Sequence, residues 1–264
     1  MMRTGRVARW AMMLLALALT TAGATDEPRE SWDAIYIQGQ RVGYFHIAVR
    51  PVKDRERDLV RVVVDHTLSF KRGKDPVSMD VLYGTIETPD GSVLRLDTRI
   101  VVSRQEMRTF GDVADGKMKL ILEGTGQRQE QIIPWEPDVR GPYGAEMSMS
   151  RKPMQPGESR EIKVFVPGVN KISLIKLEAR QVENVQLGGG VKRGLLRVDQ
   201  TAFVDGKPFS DMSGTHWVDA SGQVLRMSME SFGGMETYRT TKEAAQKNVA
   251  HGQFDLTEAS LVKV

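Results

Sequence analysis

The chain has 264 residues, no cysteine, and a formal charge of +3 from 37 basic and 34 acidic residues. The lack of cysteine excludes a disulfide framework, thiol catalysis and thiolate metal sites together. The positive charge belongs to the first 24 residues. With Arg3, Arg6 and Arg9 set aside from the 37 basic residues, 34 remain against 34 acidic ones, which leaves no electrostatic footprint for nucleic acid.

Met1 to Ala24 has the layout of a secretory signal peptide. Three arginines precede the apolar run Trp10 to Leu19, and Ala22-Gly23-Ala24 supplies a small-residue cleavage site, expected to be cut after Ala24. The expected location is therefore the periplasm or the outside of the cell. No later stretch approaches the roughly 20 apolar residues that a spanning helix needs, so no transmembrane segment is expected once the signal is removed. The chain beyond Ala24 is long enough for one large β domain or two small ones.

Ser31 to Val52 organises the rest. Ala34 to Ile37 and Tyr44 to Val49 are rich in aromatic and β-branched residues, and Gln38-Gly39-Gln40-Arg41 lies between them as a polar turn. This predicts a hairpin with Phe45, Ile47 and Val49 on its core face and Tyr44, His46 and Ala48 on the other. Gly43 predicts a close approach by another backbone or by a ring such as Trp32, or else a bulge.

Further strands are predicted over Asp58 to Phe70, with Val60, Val62, Val64, His66 and Leu68 on one side, then over Pro76 to Glu87 and Val93 to Ser103. Shorter strands come next over Glu106 to Val113, Gly116 to Leu122 and Gln127 to Ile133. Pro134 to Gly144 holds three prolines and two glycines and reads as a join, after which Glu146 to Lys152 suits a short helix. The second half repeats the strand texture over Ser159 to Val166, Val169 to Val182, Gly194 to Phe203, Thr215 to Val218, Gln223 to Met229 and Met235 to Thr240. Gly188-Gly189-Gly190 reads as a hairpin tip. Helical period is convincing at Thr241 to Asn248, with a threonine cap and Glu243 near the positive end. Phe254 to Val264 reads as an element cut off in mid-strand. The expected organisation is thus a signal over 1–24, a first β half over 25–133, a join over 134–152, a second β half over 153–240, and a helix and tail over 241–264.

No motif in the sequence carries chemistry. G-x-S-x-G is absent, as are a P-loop and G-x-G-x-x-G, and His46, His66, His216 and His251 are too scattered for a local metal motif. His46 and His66 are placed to meet on adjacent strands. Asp80, Glu87, Asp90 and Asp97 are explained by exposed faces and turns. Met147-Ser148-Met149 and Met227-Ser228-Met229 suit strand faces, with methionine as gap-filler. Trp217 is expected to pack on the sheet, and Asp219 to bond the backbone of the Asp219 to Gly222 turn. No catalytic, cofactor or metal residue is therefore assigned, and the chain is expected not to be an enzyme.

The opening Trp32-x-x-x-Tyr36-x-x-Gly39-x-x-Val42-Gly43-Tyr44-x-His46 resembles the extracytoplasmic β-rich region that precedes the catalytic domain in bacterial transglutaminase-like proteins. Lys152-Pro153-x-x-Pro156-Gly157-Glu158, Trp217-x-Asp219-x-x-Gly222-x-Val224-Leu225 and Thr240-Thr241-Lys242-Glu243-Ala244 fall in a similar order. The catalytic domain of that family uses a cysteine, so no nucleophile carries over to this chain. The resemblance implies a non-catalytic exported module that supports or regulates a transglutaminase-like peptidase or amidase, with an exposed apolar edge or patch near Phe254 to Val264. The hairpin pattern is also similar to periplasmic domains of the lipoprotein-carrier type. That likeness implies an all-β fold of long antiparallel strands in a strongly curved sheet or half-open barrel, with one short C-terminal helix. The alternative function is then a periplasmic carrier or sensor that binds an apolar or cell-envelope ligand inside the sheet. Expected partners are a transglutaminase-like catalytic protein or a cell-envelope component.

Overall fold

A computed structural model describes residues 28–230, 234–247 and 254–255. The expected signal peptide, Asn248 at the end of the expected helix, and residues 256–264 lie outside the described residues.

The chain folds as one curved, unclosed sheet of 16 strands. The first half is a meander: β1 (Arg29–Ile37), β2 (Gln40–Asp54), β3 (Arg57–Arg72), β4 (Asp75–Glu87), β5 (Val93–Val102), β6 (Gln105–Ala114), β7 (Lys117–Gly124) and β8 (Gln127–Pro134). Each pairs antiparallel with the next, because short turns leave no room for a crossover. Gln38-Gly39, Asp115-Gly116 and Thr125-Gly126 have positive φ at both turn residues. That geometry matches the right-handed twist of the flanking strands, which is why such tight turns recur here.

The second half runs β9 (Val139–Arg140), α1 (Gly144–Arg151), β10 (Ser159–Val166), β11 (Lys171–Gln186), β12 (Lys192–Val204), β13 (Lys207–Pro208), β14 (Gly214–Val218), β15 (Val224–Met229), β16 (Met235–Thr240) and α2 (Lys242–Gln246). β16 returns to pair with β1, so the two halves share a single sheet through Trp32 to Ile37. The parallel β9–β10 pair forms one edge and β8 the other.

The sheet rolls until its two ends overlap. Val164 and Val166 on β10 face inward with Ile175 and Leu177 of β11 and with Ala145 and Met149 of α1. Phe165 points the other way and is fully buried against Leu96, Met118, Leu120 and Trp135, with the half-buried Ile172 beside it. The outer face of β10–β11 is therefore covered by the inner face of β5–β8. This overlap buries the β9–β10 end of the sheet, and β8 remains as an edge without a partner strand among the described residues.

The predicted faces of the first hairpin hold. Ile47 and Val49 are buried with Val60, Val62 and Val64, and Phe45 packs beside them. Gly43 lies where the β1–β2 register shifts, and a Cβ there would sit 1.9 Å from the carbonyl oxygen of Thr67. The close approach is by β3 backbone, while Trp32 stacks on His46 on the opposite face, ring centroids 4.0 Å apart.

Met147-Ser148-Met149 departs from the strand reading and is part of α1, as the alternative helix over Glu146 to Lys152 anticipated. Residues two apart on a helix point to nearly opposite sides. Met147 accordingly packs on β2 and β3, and Met149 on β10 to β12. α1 thus plugs the lower part of the roll. At the C-terminal side Thr241 caps α2 by accepting from the amide of Ala244 at 3.2 Å, as the sequence predicts.

Candidate functional site

Because side chains alternate along each strand, the inward rows of β2, β3, β4, β15 and β16 line the bore of the roll. α1 fills only the lower part. Above it lies an apolar cavity of about 550 Å³. Its walls are Phe45, Val64, Leu68, Val81, Met79, Met229 and Met235, and it is bounded on the far side by Phe165 to Pro167, Val169, Phe209 and Met212. This volume is in the range of pockets that hold small ligands. Four methionines supply a wall that adapts to ligand shape.

Four polar groups, His66, Tyr83, Tyr143 and Asp211, interrupt the apolar lining. His66 meets Phe45 edge-on at 4.0 Å between centroids and Tyr83 at 5.3 Å, and it has no side-chain hydrogen bond among the described residues. Enclosure without a partner disfavours the imidazolium and pushes its pKa down to about 3, so the ring is neutral. Burial raises the Tyr83 pKa for the same reason. Asp211, on the single helical turn Ser210–Met212, completes the lining. One end of the space is near Phe254, which is 2% exposed and packs with Leu68, Ile35 and Met235. Its carbonyl accepts from the amide of Lys71 at 2.7 Å, which fastens this segment along the end of β3.

Two polar clefts flank α1 below the cavity. One, of about 280 Å³, is lined by Arg29, Ile47, Val49, Tyr143, Glu146, Ser150 and Arg239. Arg239 donates to Asp33 at 2.8 Å, and Arg29 reaches Ser150 Oγ at 3.2 Å. Glu146 is half-buried, and its Oε2 is enclosed with no hydrogen-bond partner among the described residues. Burial, with the nearby charge of Asp33, raises its pKa to about 7. The second cleft, of about 500 Å³, lies between α1 and β10, with Arg140, Lys152, Arg160 and Lys163 set among Glu87, Asp90, Asp138 and Glu161. Its cations are largely committed: Arg160 holds Ser148, Lys152 and Glu158, and Lys163 holds Glu136 and Asp138.

The fold has a solved counterpart. It is a beta-barrel-like protein of a domain of unknown function, DUF1849, from Brucella abortus, with a TM-score of 0.54 and 13% identity over 81% of this chain and 96% of that one. At that identity the likeness is of fold alone. A DUF1089 family protein from Pseudomonas aeruginosa covers 84% of this chain and 95% of its own at 11% identity, but its TM-score of 0.32 is too low to support an argument. No family model and no curated protein matches the chain.

The residues singled out in sequence do not converge on one place. His46 and His66 sit on adjacent strands but on opposite faces, so they do not meet: His46 points outward to Glu30 at 2.8 Å, and His66 points into the cavity. His216 is buried on the inner face of β14, and burial lowers its pKa to about 4. His251 lies outside the described residues. Glu87 corrects the exposed-face reading, being 6% exposed and accepting from the Thr85 hydroxyl at 2.6 Å. Asp90 and Asp97 behave as read, the first closing its turn with Thr88 and Ser92, the second paired with Arg61 at 2.6 Å. Asp219 accepts from the amides of Ser221 and Gln223, and Trp217 packs on Leu195 and Leu225 under Arg226.

Sequence reasoning missed Tyr143, Glu146 and Asp211. A signal for Glu146 was present: Ala145 and Met149 are spaced by four, the helical interval that places Glu146 beside a buried stripe.

Proposed function

We propose that the protein binds an apolar ligand inside its rolled sheet, as a carrier or sensor in the cell envelope, and performs no covalent chemistry on it. The observation that carries this reading is the cavity of about 550 Å³ walled by Phe45, Leu68, Val81 and four methionines. A space so apolar gains free energy by exchanging poorly bonded water for hydrocarbon, at about 25 cal/mol per Å² of apolar surface covered. The titratable groups support binding over catalysis. His66 is held neutral to about pH 3 with no partner, so it offers little as an acid or base near neutrality.

The test is to purify the chain from its native envelope without detergent and to analyse bound compounds by mass spectrometry after organic extraction. One apolar compound recovered in near-equimolar amount supports the reading. Recovery of none, from protein whose cavity also refuses added hydrocarbon, overturns it.

The accessory role implied by the resemblance to transglutaminase-like proteins is a second reading, and β8 favours it. Its edge offers unpaired backbone groups, and Ile132 is 64% exposed. A strand from another protein would extend the sheet there. Of the stretch Phe254 to Val264, where an apolar docking surface was expected, Phe254 is tucked into the roll, and residues 256–264 lie outside the described residues. Cross-linking from a residue introduced at Gln129 tests this role. Capture of a cysteine-containing transglutaminase-like protein supports it, and cross-links to no envelope protein count against it.

A further inference from the structure

Three rungs of the sheet run up the cavity wall. Val64 stands opposite Tyr83 in the lowest, His66 opposite Val81 and Phe45 in the next, and Leu68 opposite Met79 in the highest. Side chains on one face recur every second residue, so the lowest and highest rungs are about 13 Å apart. The lowest rung clusters with Met147 of α1 and with Tyr143, and the highest with Met229, Met235 and Phe254.

The two ends of this wall differ in chemistry. Tyr83, Tyr143 and His66 lie along the two lower rungs and all line the cavity, whereas the highest rung is hydrocarbon and thioether. None of the three has a side-chain hydrogen bond among the described residues. Enclosure keeps them uncharged, lowering the His66 pKa to about 3 and raising those of both phenols. Among the described lining residues Asp211 alone is charged, and it is exposed on the turn Ser210–Met212.

Water satisfies such groups in an empty cavity. A ligand that displaces the water must replace its hydrogen bonds, or the imidazole and phenols are left bare in an apolar space. An ionic head fits poorly, because it would shed its hydration against neutral partners. A neutral imidazole has one donor and one acceptor nitrogen, and a phenol donates and accepts through one oxygen. A hydroxyl matches both, donating to the unprotonated nitrogen of His66 and accepting from a tyrosine. An ether oxygen accepts only and leaves that nitrogen unpaired.

Resting on the apolar-binding reading, we propose that the ligand is an uncharged lipid alcohol. Its hydroxyl is held between His66 and Tyr83 at the α1 end, and its hydrocarbon lies along Leu68, Met79 and Met235.

The experiment is titration calorimetry of the chain with 1-decanol, decyl methyl ether, decanoate and decyltrimethylammonium, each below its solubility limit. The alcohol is expected to bind at least tenfold tighter than the other three. Tyr83→Phe and His66→Leu remove the polar atoms and keep an apolar wall. Each is expected to weaken the alcohol about tenfold and to leave the ether unchanged, which also reports an intact cavity. Tyr83→Phe keeps the ring and decides the matter should His66→Leu fail to fold. Nitrogen-15 spectra of the histidine-labelled parent are expected to show the unprotonated nitrogen of His66 shifting with the alcohol and not with the ether. Affinities for alcohol and ether within threefold, tighter binding of either ion, or a preference for the alcohol that survives the substitutions overturns the head assignment and leaves the apolar reading standing. Failure of all four to bind overturns both.

Discussion

Trp135 and Phe165 meet with ring centroids 5.9 Å apart, one from the join after β8 and the other from the outer face of β10. Their contact lies where the two ends of the sheet overlap, and it turns an open sheet into a roll with an interior. Phe165→Ala removes a fully buried ring at that overlap and is expected to cost about 3–5 kcal/mol in urea unfolding. Phe110→Ala, at a ring 41% exposed, is expected to cost under about 1 kcal/mol. Equal losses at the two sites would mean that the overlap does not hold the roll.

Gly43 and Gly39 make a second comparison. Any Cβ at Gly43 meets the Thr67 carbonyl at 1.9 Å, whereas Gly39 has open space around it and requires only a positive φ. Gly43→Ala is expected to destabilise by about 3 kcal/mol or more, because backbone must move to relieve the clash. Gly39→Asn, a residue that tolerates the left-handed region, is expected to stay within about 1 kcal/mol of the parent. Thermal melts of the two variants check this.

Glu146 and the inner histidines set opposite pH slopes. The folded-state pKa of Glu146, about 7, lies above its ordinary value of 4.5. Its contribution is complete below pH 4.5 and is lost as pH rises through 7, because the unfolded chain ionises first. Glu146→Gln is expected to remove that loss, gaining about 2–3 kcal/mol over the parent between pH 5 and pH 8. His66 and His216 are depressed from 6.5 to about 3 and about 4, so their contribution is present above pH 6.5 and lost on acidification. His216→Leu is expected to flatten the acid limb between pH 6.5 and 4. Urea midpoints across pH 4 to 8 give both slopes.

Much of the fold was legible because period two dominates the chain. The faces Phe45-Ile47-Val49 and Val60 to Leu68 emerge from alternation alone, and the turn with Gly39 from its polar residues between two such strands. The roll's overlap was not legible. Phe165 alternates with Val164 and Val166 in a continuous apolar run, Val164-Phe165-Val166, and such a run does not say which surface covers its second face. The cavity was invisible for a related reason: Met229, Met235 and Phe45 read as ordinary core residues, and only the shortness of α1 leaves space between them. Glu87 was misplaced because acidic residues near a turn are usually exposed, whereas here the join at Gly141 passes over it.

Oxidation offers a probe of the cavity wall. Met79, Met212, Met229 and Met235 all line it, and conversion of a thioether to a sulfoxide makes that wall polar. Mild peroxide treatment is expected to weaken apolar binding at least tenfold. Replacing these four methionines with leucine is expected to make binding resistant to peroxide. Equal peroxide sensitivity in the two proteins would place the binding elsewhere.

The most direct measurement is the stoichiometry of N-phenyl-1-naphthylamine binding, followed by fluorescence, for the parent chain and for Met212→Trp. Met212 sits on the exposed-side turn Ser210–Met212 with its side chain against the cavity, so a larger ring there fills the space with little demand on the sheet. The account predicts one probe per parent chain, displaced by dodecanol, and binding at least tenfold weaker in Met212→Trp at an unchanged melting temperature. No binding by the parent, or equal binding by the filled variant, would contradict it.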